Sequence, residues 1–207
     1  MKDIIKTPFQ SGVSTISERL FYLTLSLFVI AGLMTTYSAT FFAPTTIGWP
    51  FLIIVGLVIP LVGVFVSQMD SLPVSFLGYN MITIPFGLLL GPVVDQYAPG
   101  VVQNASLLTA LITAVMGTSG VLFPDFYKKI GTALFVALVS LLVVRILGLF
   151  FPQLQFGIID YIAAGIFSLY IGYDMYRASQ AKRTVLSALH IAVSLYLDII
   201  NLFMNRI

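Results

Sequence analysis

Residues 130–151 read IGTALFVALVSLLVVRILGLFF. A single charge, Arg145, interrupts an apolar run about as long as the roughly 20 residues a helix needs to cross a hydrocarbon core. Six further runs of this kind lie along the chain: Leu20–Phe42, Pro50–Gln68, Pro73–Val94, Val101–Phe123, Ile158–Gln180 and Val185–Met204. The run from Ile158 is apolar as far as Met175. It continues as helix past Arg177, because neither Gly nor Pro occurs before Lys182. The other spanning architecture, a barrel, requires segments of about 10 residues alternating in polarity. These runs are continuous and far longer. The sequence therefore predicts an all-α membrane protein, a bundle of seven transmembrane helices, with 1–207 as a single membrane domain.

Composition leads to the same place. The 207 residues are 59% hydrophobic and 9% charged, against about 25% charged in soluble domains. So few charges cannot cover a surface facing water, and the mean hydropathy of +1.04 agrees. Cysteine is absent, which excludes a disulfide framework, a cysteine zinc site and a thiol nucleophile. The net charge of +2 comes without a basic run that would suit nucleic acid. The lead from Met1 to Ser17 is polar and lacks the order of a cleaved signal peptide, so the first run reads as a retained helix.

Lys and Arg set the expected orientation. They occur before the first run (Lys2, Lys6, Arg19), after the fourth (Lys128, Lys129) and after the sixth (Arg177, Lys182, Arg183). The connections after the first, third and fifth runs carry none. This bias predicts a cytoplasmic N-terminus in a plasma or inner membrane, with the C-terminus outside. Arg206 lies against the rule, and a re-entrant seventh run is the alternative. Pro60 and Pro85 fall inside the second and third runs, where proline kinks a helix and serves either as a hinge or as static packing. Gly87 and Gly91, and more weakly Ala163, Phe167 and Ile171, give small-residue spacing suited to close helix contact.

Charges inside a span cost roughly 2.5–3.5 kcal/mol each on insertion scales. They persist where they pair, meet water or perform work. The candidates are Arg145, Asp174, His190 and Asp198, with Asp95 and Asp160 near outer ends. In the last run, Ser187, His190, Ser194, Asp198, Asn201 and Asn205 are spaced 3, 4, 4, 3 and 4 apart, which puts them on one helical face. The other faces read as Leu, Ile, Val, Phe and Met. Such a stripe serves as hydrogen-bonding glue between helices or lines a functional interior. Asp160 and Asp174 share a face of the sixth run, with Tyr170 one turn from Asp174. A helix ending near Lys182 and another starting near Ser187 put Asp174 about 12 Å and Asp198 about 16 Å from the same side. The spacing thus predicts that the two carboxylates meet.

Two carboxylates in contact do not both ionise cheaply, so such a pair shares a proton over part of the pH range. Protonated, it clasps two helices together. Deprotonated, it repels itself and attracts cations. Hard cations such as Ca²⁺ favour carboxylate and carbonyl oxygen, so Asp174 and Asp198 are the expected transient calcium site. Arg145 reads as a counter-charge for Asp160 or Asp95. His190 is the one histidine of the chain, and a lone histidine near an interface is more often structural than a switch.

Two segments, Ile166-Phe-Ser-Leu-Tyr-Ile-Gly-Tyr-Asp174 and Ala192-Val-Ser-Leu-Tyr-Leu-Asp198-Ile-Ile-Asn201-Leu-Phe203, resemble the last two helices of the transmembrane Bax-inhibitor-motif family, its bacterial members above all. Leu90-Gly-Pro92 resembles it more loosely. The resemblance implies seven helices with the seventh enclosed by the others. It also implies a pH-sensitive Ca²⁺ leak in which Asp174 and Asp198 form the proton sensor and latch, and a membrane-bound quality-control protease as a partner. The chain departs from the family in stopping at Arg206-Ile207, where members usually continue into a charged tail.

Other readings remain at this stage. A non-transporting partner of a membrane protease or of a stress or death regulator needs no ion path. A proton-coupled cation exchanger would be expected to show broken helices. An intramembrane aspartyl protease also needs paired aspartates, but Asp198 follows Leu195-Tyr196-Leu197 rather than Gly-x-Gly, and no Pro-Ala-Leu occurs. The expectation is a non-enzyme without cofactor, whose partners are the lipid bilayer, calcium and protons.

Overall fold

The computed structural model describes residues 15–151 and 157–206. Lys2, Lys6, the start of the polar lead, Pro152 and Ile207 lie outside them. The described residues form seven helices long and apolar enough to cross a membrane, and no strand. They are α1 (Glu18–Thr40), α2 (Trp49–Ser67), α3 (Leu72–Val94), α4 (Pro99–Leu122), α5 (Pro124–Phe150), α6 (Gly157–Gln180) and α7 (Val185–Met204).

Local sequence sets where each helix begins. Ser17 caps α1 by accepting from the Leu20 amide, and Thr184 caps α7 by accepting from the Ser187 amide, each satisfying an otherwise orphaned donor. Prolines stand in the first turns of α2, α3, α4 and α5, where the missing N–H costs nothing. Phe123 alone joins α4 to α5, serving as the C-cap of one and the N-cap of the other. Because Pro124 starts α5 so early, Lys128 and Lys129 lie on its second turn and not in a loop. Hydropathy misplaces this boundary because a helix runs on past the apolar core into the interface.

Pro60 does not act alone in α2. The turn just before it, Ile54–Val58, is π-helical between α-helical pieces Trp49–Ile53 and Ile59–Ser67. A proline ring collides with the carbonyl four residues back, and a widened turn relieves that collision. Pro85 and Pro92 are both carried inside α3 without ending it.

The helices pack through small residues. A Cβ on Gly87 would strike the Thr36 carbonyl oxygen on α1, and one on Gly120 would strike the Gly172 carbonyl oxygen on α6. Backbone contact this close is what small residues allow in lipid, where burial of apolar surface supplies little drive. α7 is the most buried span, with 61% of its apolar window inside the protein, and α5 the least, with 11%. α7 packs along α1 and α6 and over shorter lengths against α3, α4 and α2, while α5 leans on α6. Outward faces carry Leu23, Leu27, Leu111, Phe135 and Val139, all exposed, as lipid contact requires.

Candidate functional site

α6 and α7 are antiparallel neighbours joined by residues 181–184. Asp174 lies six residues inside α6 and Asp198 thirteen residues inside α7, about 9 and 20 Å along the respective axes. Both carboxyls are buried, and each lies within electrostatic reach of the other.

The setting is dry and sparsely partnered. Asp174 is 1% exposed and Asp198 8%. Arg177, one turn on from Asp174, donates from Nη1 to Asp174 Oδ1 at 3.0 Å, and its own side chain remains 46% exposed. The Oδ2 atoms of Asp174 and Asp198 are buried and receive no hydrogen bond from another described residue. An ionised carboxylate only accepts, so two such groups bond to one another only through a proton. Tyr170 lies beside both and begins an aromatic file with Tyr173 and Tyr176, with successive centroids 6.2 and 6.0 Å apart.

The rest of the predicted polar stripe is dispersed. His190 Nε2 contacts the Met69 carbonyl at 3.3 Å and Ser75 Oγ at 3.4 Å, at the α2–α3 connection and about 12 Å along α7 from Asp198. Asn201 and Asn205 donate to the carbonyls of Leu197 and Asn201, four residues back on their own helix. Ser194 is half-buried one turn from Asp198. These side chains do not form one network, because an amide can bond locally to the carbonyl one turn back on its own helix.

Arg145 pairs with Asp160 at 3.0 Å and donates to Asn205, which ties α5, α6 and α7 at the end away from Glu18. Asp95, the other expected counter-charge, caps α3 and forms no ion pair with Arg145. Among the described residues no three His, Cys, Asp or Glu side chains converge as a metal site. Asp174 and Asp198 thus offer two carboxyls, and a Ca²⁺ ion, which takes 6–8 oxygens, would draw the others from water or backbone carbonyls.

Two features escaped the sequence reading. Arg177 enters the sequence reading only as an orientation charge, although its i,i+3 spacing from Asp174 marks a helical ion pair. The face of α7 opposite the pair is not purely aliphatic: Tyr196 is fully buried, its hydroxyl lies 2.5 Å from Thr36 Oγ1, and Thr36 also donates to the Thr83 carbonyl at 3.0 Å. Tyr79 stands edge-on to Tyr196 and donates to the Phe28 carbonyl. This hydroxyl cluster joins α7 to α1 and α3.

Fold and site together define a multi-pass helical membrane protein with a buried aspartate on each of its last two helices. Residues 15–205 match the family described as Inhibitor of apoptosis-promoting Bax1, and the chain belongs to that family. It is 31% identical over 176 residues to Protein LIFEGUARD 4 of Arabidopsis thaliana, covering 80% of this chain and 69% of that protein. It is 32% identical over 118 residues to an uncharacterized protein of Helicobacter pylori strain J99, covering 56% of this chain and 50% of the relative. A second Helicobacter pylori protein, from strain 26695, matches at 31% over the same length. The chain spans about half the length of these bacterial relatives.

Proposed function

We propose that this protein is a pH-sensitive leak for Ca²⁺ across a cell membrane, with its N-terminus cytoplasmic and Asp174 and Asp198 as the gate. The observation that supports this reading most strongly is that the Oδ2 atoms of Asp174 and Asp198 are both buried without a hydrogen-bond partner among the described residues. With one proton between them, the carboxyls clasp α6 to α7, while Arg177 balances the remaining negative charge. Loss of that proton leaves two like charges in contact against one cation, which drives the helices apart and creates an oxygen-rich step for a divalent ion. In this reading α7 sits within a ring formed by the other six helices, and the protein is a conduit rather than a catalyst.

The test is purified protein in liposomes loaded with a Ca²⁺-sensitive dye. Influx should rise with pH as the shared proton is lost, and Asp174→Asn and Asp198→Asn should each flatten that response. Absence of flux at every pH would end the leak reading and shift the assignment to a non-transporting interaction role.

A further inference from the structure

A recess and a groove meet at Tyr22. Ser17, Glu18 and Arg19 line the recess at the start of α1. The groove, about 310 Å³ in volume, follows α1 from Tyr22 to Ile30 with α4 as its other wall, a length of about 12 Å. Its floor is Ile171 and Met175 of α6 with Leu195 and Ile199 of α7. The bilayer, which wets the outer face of α1 at Ile30, here reaches inward to the most buried helix of the bundle.

Three observations specify the occupant. The groove lies within the spanning segments and is mainly apolar, so hydrocarbon fills it more favourably than water. Its volume is at the small end of the roughly 300–1,000 Å³ of ligand pockets, which suits one chain rather than a bulky solute. The charge at its mouth is positive: Glu18 is taken up by Arg183 at 2.9 Å, leaving exposed Arg19 for an anionic group at headgroup level. We propose that the groove binds one acyl chain of an anionic phospholipid whose phosphodiester is held at Arg19. The floor residues flank Asp174 and Asp198 in sequence, so the chain would close the lipid-facing side of the pair. The binding itself does not depend on the leak reading.

The test uses phosphatidylcholine liposomes containing a phosphatidylglycerol probe with a photoactivatable diazirine in its acyl chain. Adducts are mapped by mass spectrometry. Label should concentrate on Ile30, Ala114 and Leu195 relative to the exposed residues Val139 and Leu142 of α5. Gly117→Leu should cut groove labelling about fivefold, because a Cβ there meets Met175 Cγ at 3.5 Å, an ordinary contact that leaves the backbone in place. Ala114→Phe provides the same reading if that variant does not fold. Arg19→Gln should remove the preference for the phosphatidylglycerol probe over its phosphatidylcholine counterpart. Equal labelling of α5 and the groove, or labelling unchanged in both filled variants, would overturn the site. An unchanged headgroup preference in Arg19→Gln would overturn the role of Arg19.

Discussion

Arg177 reaches back one helical turn to hold Asp174 at 3.0 Å, so a half-exposed cation is tethered to a carboxylate that is 1% exposed. The strength of such a contact lies on the buried side: removing the cation strands a charge that water cannot reach.

Arg177→Gln is therefore expected to lower stability by about 1.5–3 kcal/mol, the range for hydrogen bonds to charged groups, seen as a reduced melting temperature in detergent. It should also move the rise in Ca²⁺ flux to higher pH, since a nearby cation favours the ionised carboxylate. A flux profile identical to wild type would remove Arg177 from the gate.

The two asparagine variants should differ. In Asp198→Asn, the amide can donate to Asp174 at every pH, so the clasp persists and the melting temperature stays near wild type. Asp174→Asn takes the carboxylate from Arg177 and should melt lower. Equal melting temperatures for the two would argue against this division of labour.

Close backbone approach makes a sharp contrast between neighbouring glycines. Gly120→Ala drives its methyl into the Gly172 carbonyl, and overpacking of this kind typically costs about 1–3 kcal/mol. Gly117→Ala meets only the flexible side chain of Met175 at 3.5 Å and should melt within a degree or two of wild type (well under 1 kcal/mol). Thermal melts of the two side by side decide it.

Tyr196→Phe removes the hydroxyl that faces Thr36, while Thr36 keeps its bond to the Thr83 carbonyl. The expected loss is about 0.5–1.5 kcal/mol. Because Tyr196 lies across α7 from Asp198, the pH profile of flux should not move; a shifted profile would show that the two faces of α7 are coupled.

Arg145→Ala should do little. Asp160 stands in the first turn of α6, at the end of the span, it and the arginine are 56% and 45% exposed, and an ion pair at that wet boundary contributes about 0–1 kcal/mol. A melting shift larger than that of Arg177→Gln would reverse the ranking of the two pairs.

Much of this architecture was legible beforehand, and the reasons are local. Continuous apolar runs gave seven spans, and the first-turn prolines Pro50, Pro73 and Pro99 stand within two residues of the predicted starts of three of the six runs that follow the first, whereas Pro124 precedes the predicted start of the fifth by six residues. Asp174 and Asp198 stood out because carboxylates are rare in lipid. What escaped depends on contacts between distant parts of the chain. Thr36 and Tyr196 are 160 residues apart, and nothing near either one announces the other. Gly120 and Gly172 meet only because two helices cross there. The side chains that share the α7 face take separate partners: His190 reaches the α2–α3 connection, Asn205 accepts from Arg145 while its amide turns back onto α7, and Asn201 bonds within its own helix.

The connection between α6 and α7 is fastened to the beginning of α1. The Ile16 amide donates to the Arg183 carbonyl at 2.9 Å, and the Arg183 guanidinium grips Glu18. A fusion or affinity tag placed immediately ahead of Ile16 therefore pulls on the hairpin that carries both aspartates. Reporters meant to leave the protein undisturbed belong elsewhere, and a tether at that point offers a handle for applying force to the pair from outside the bilayer.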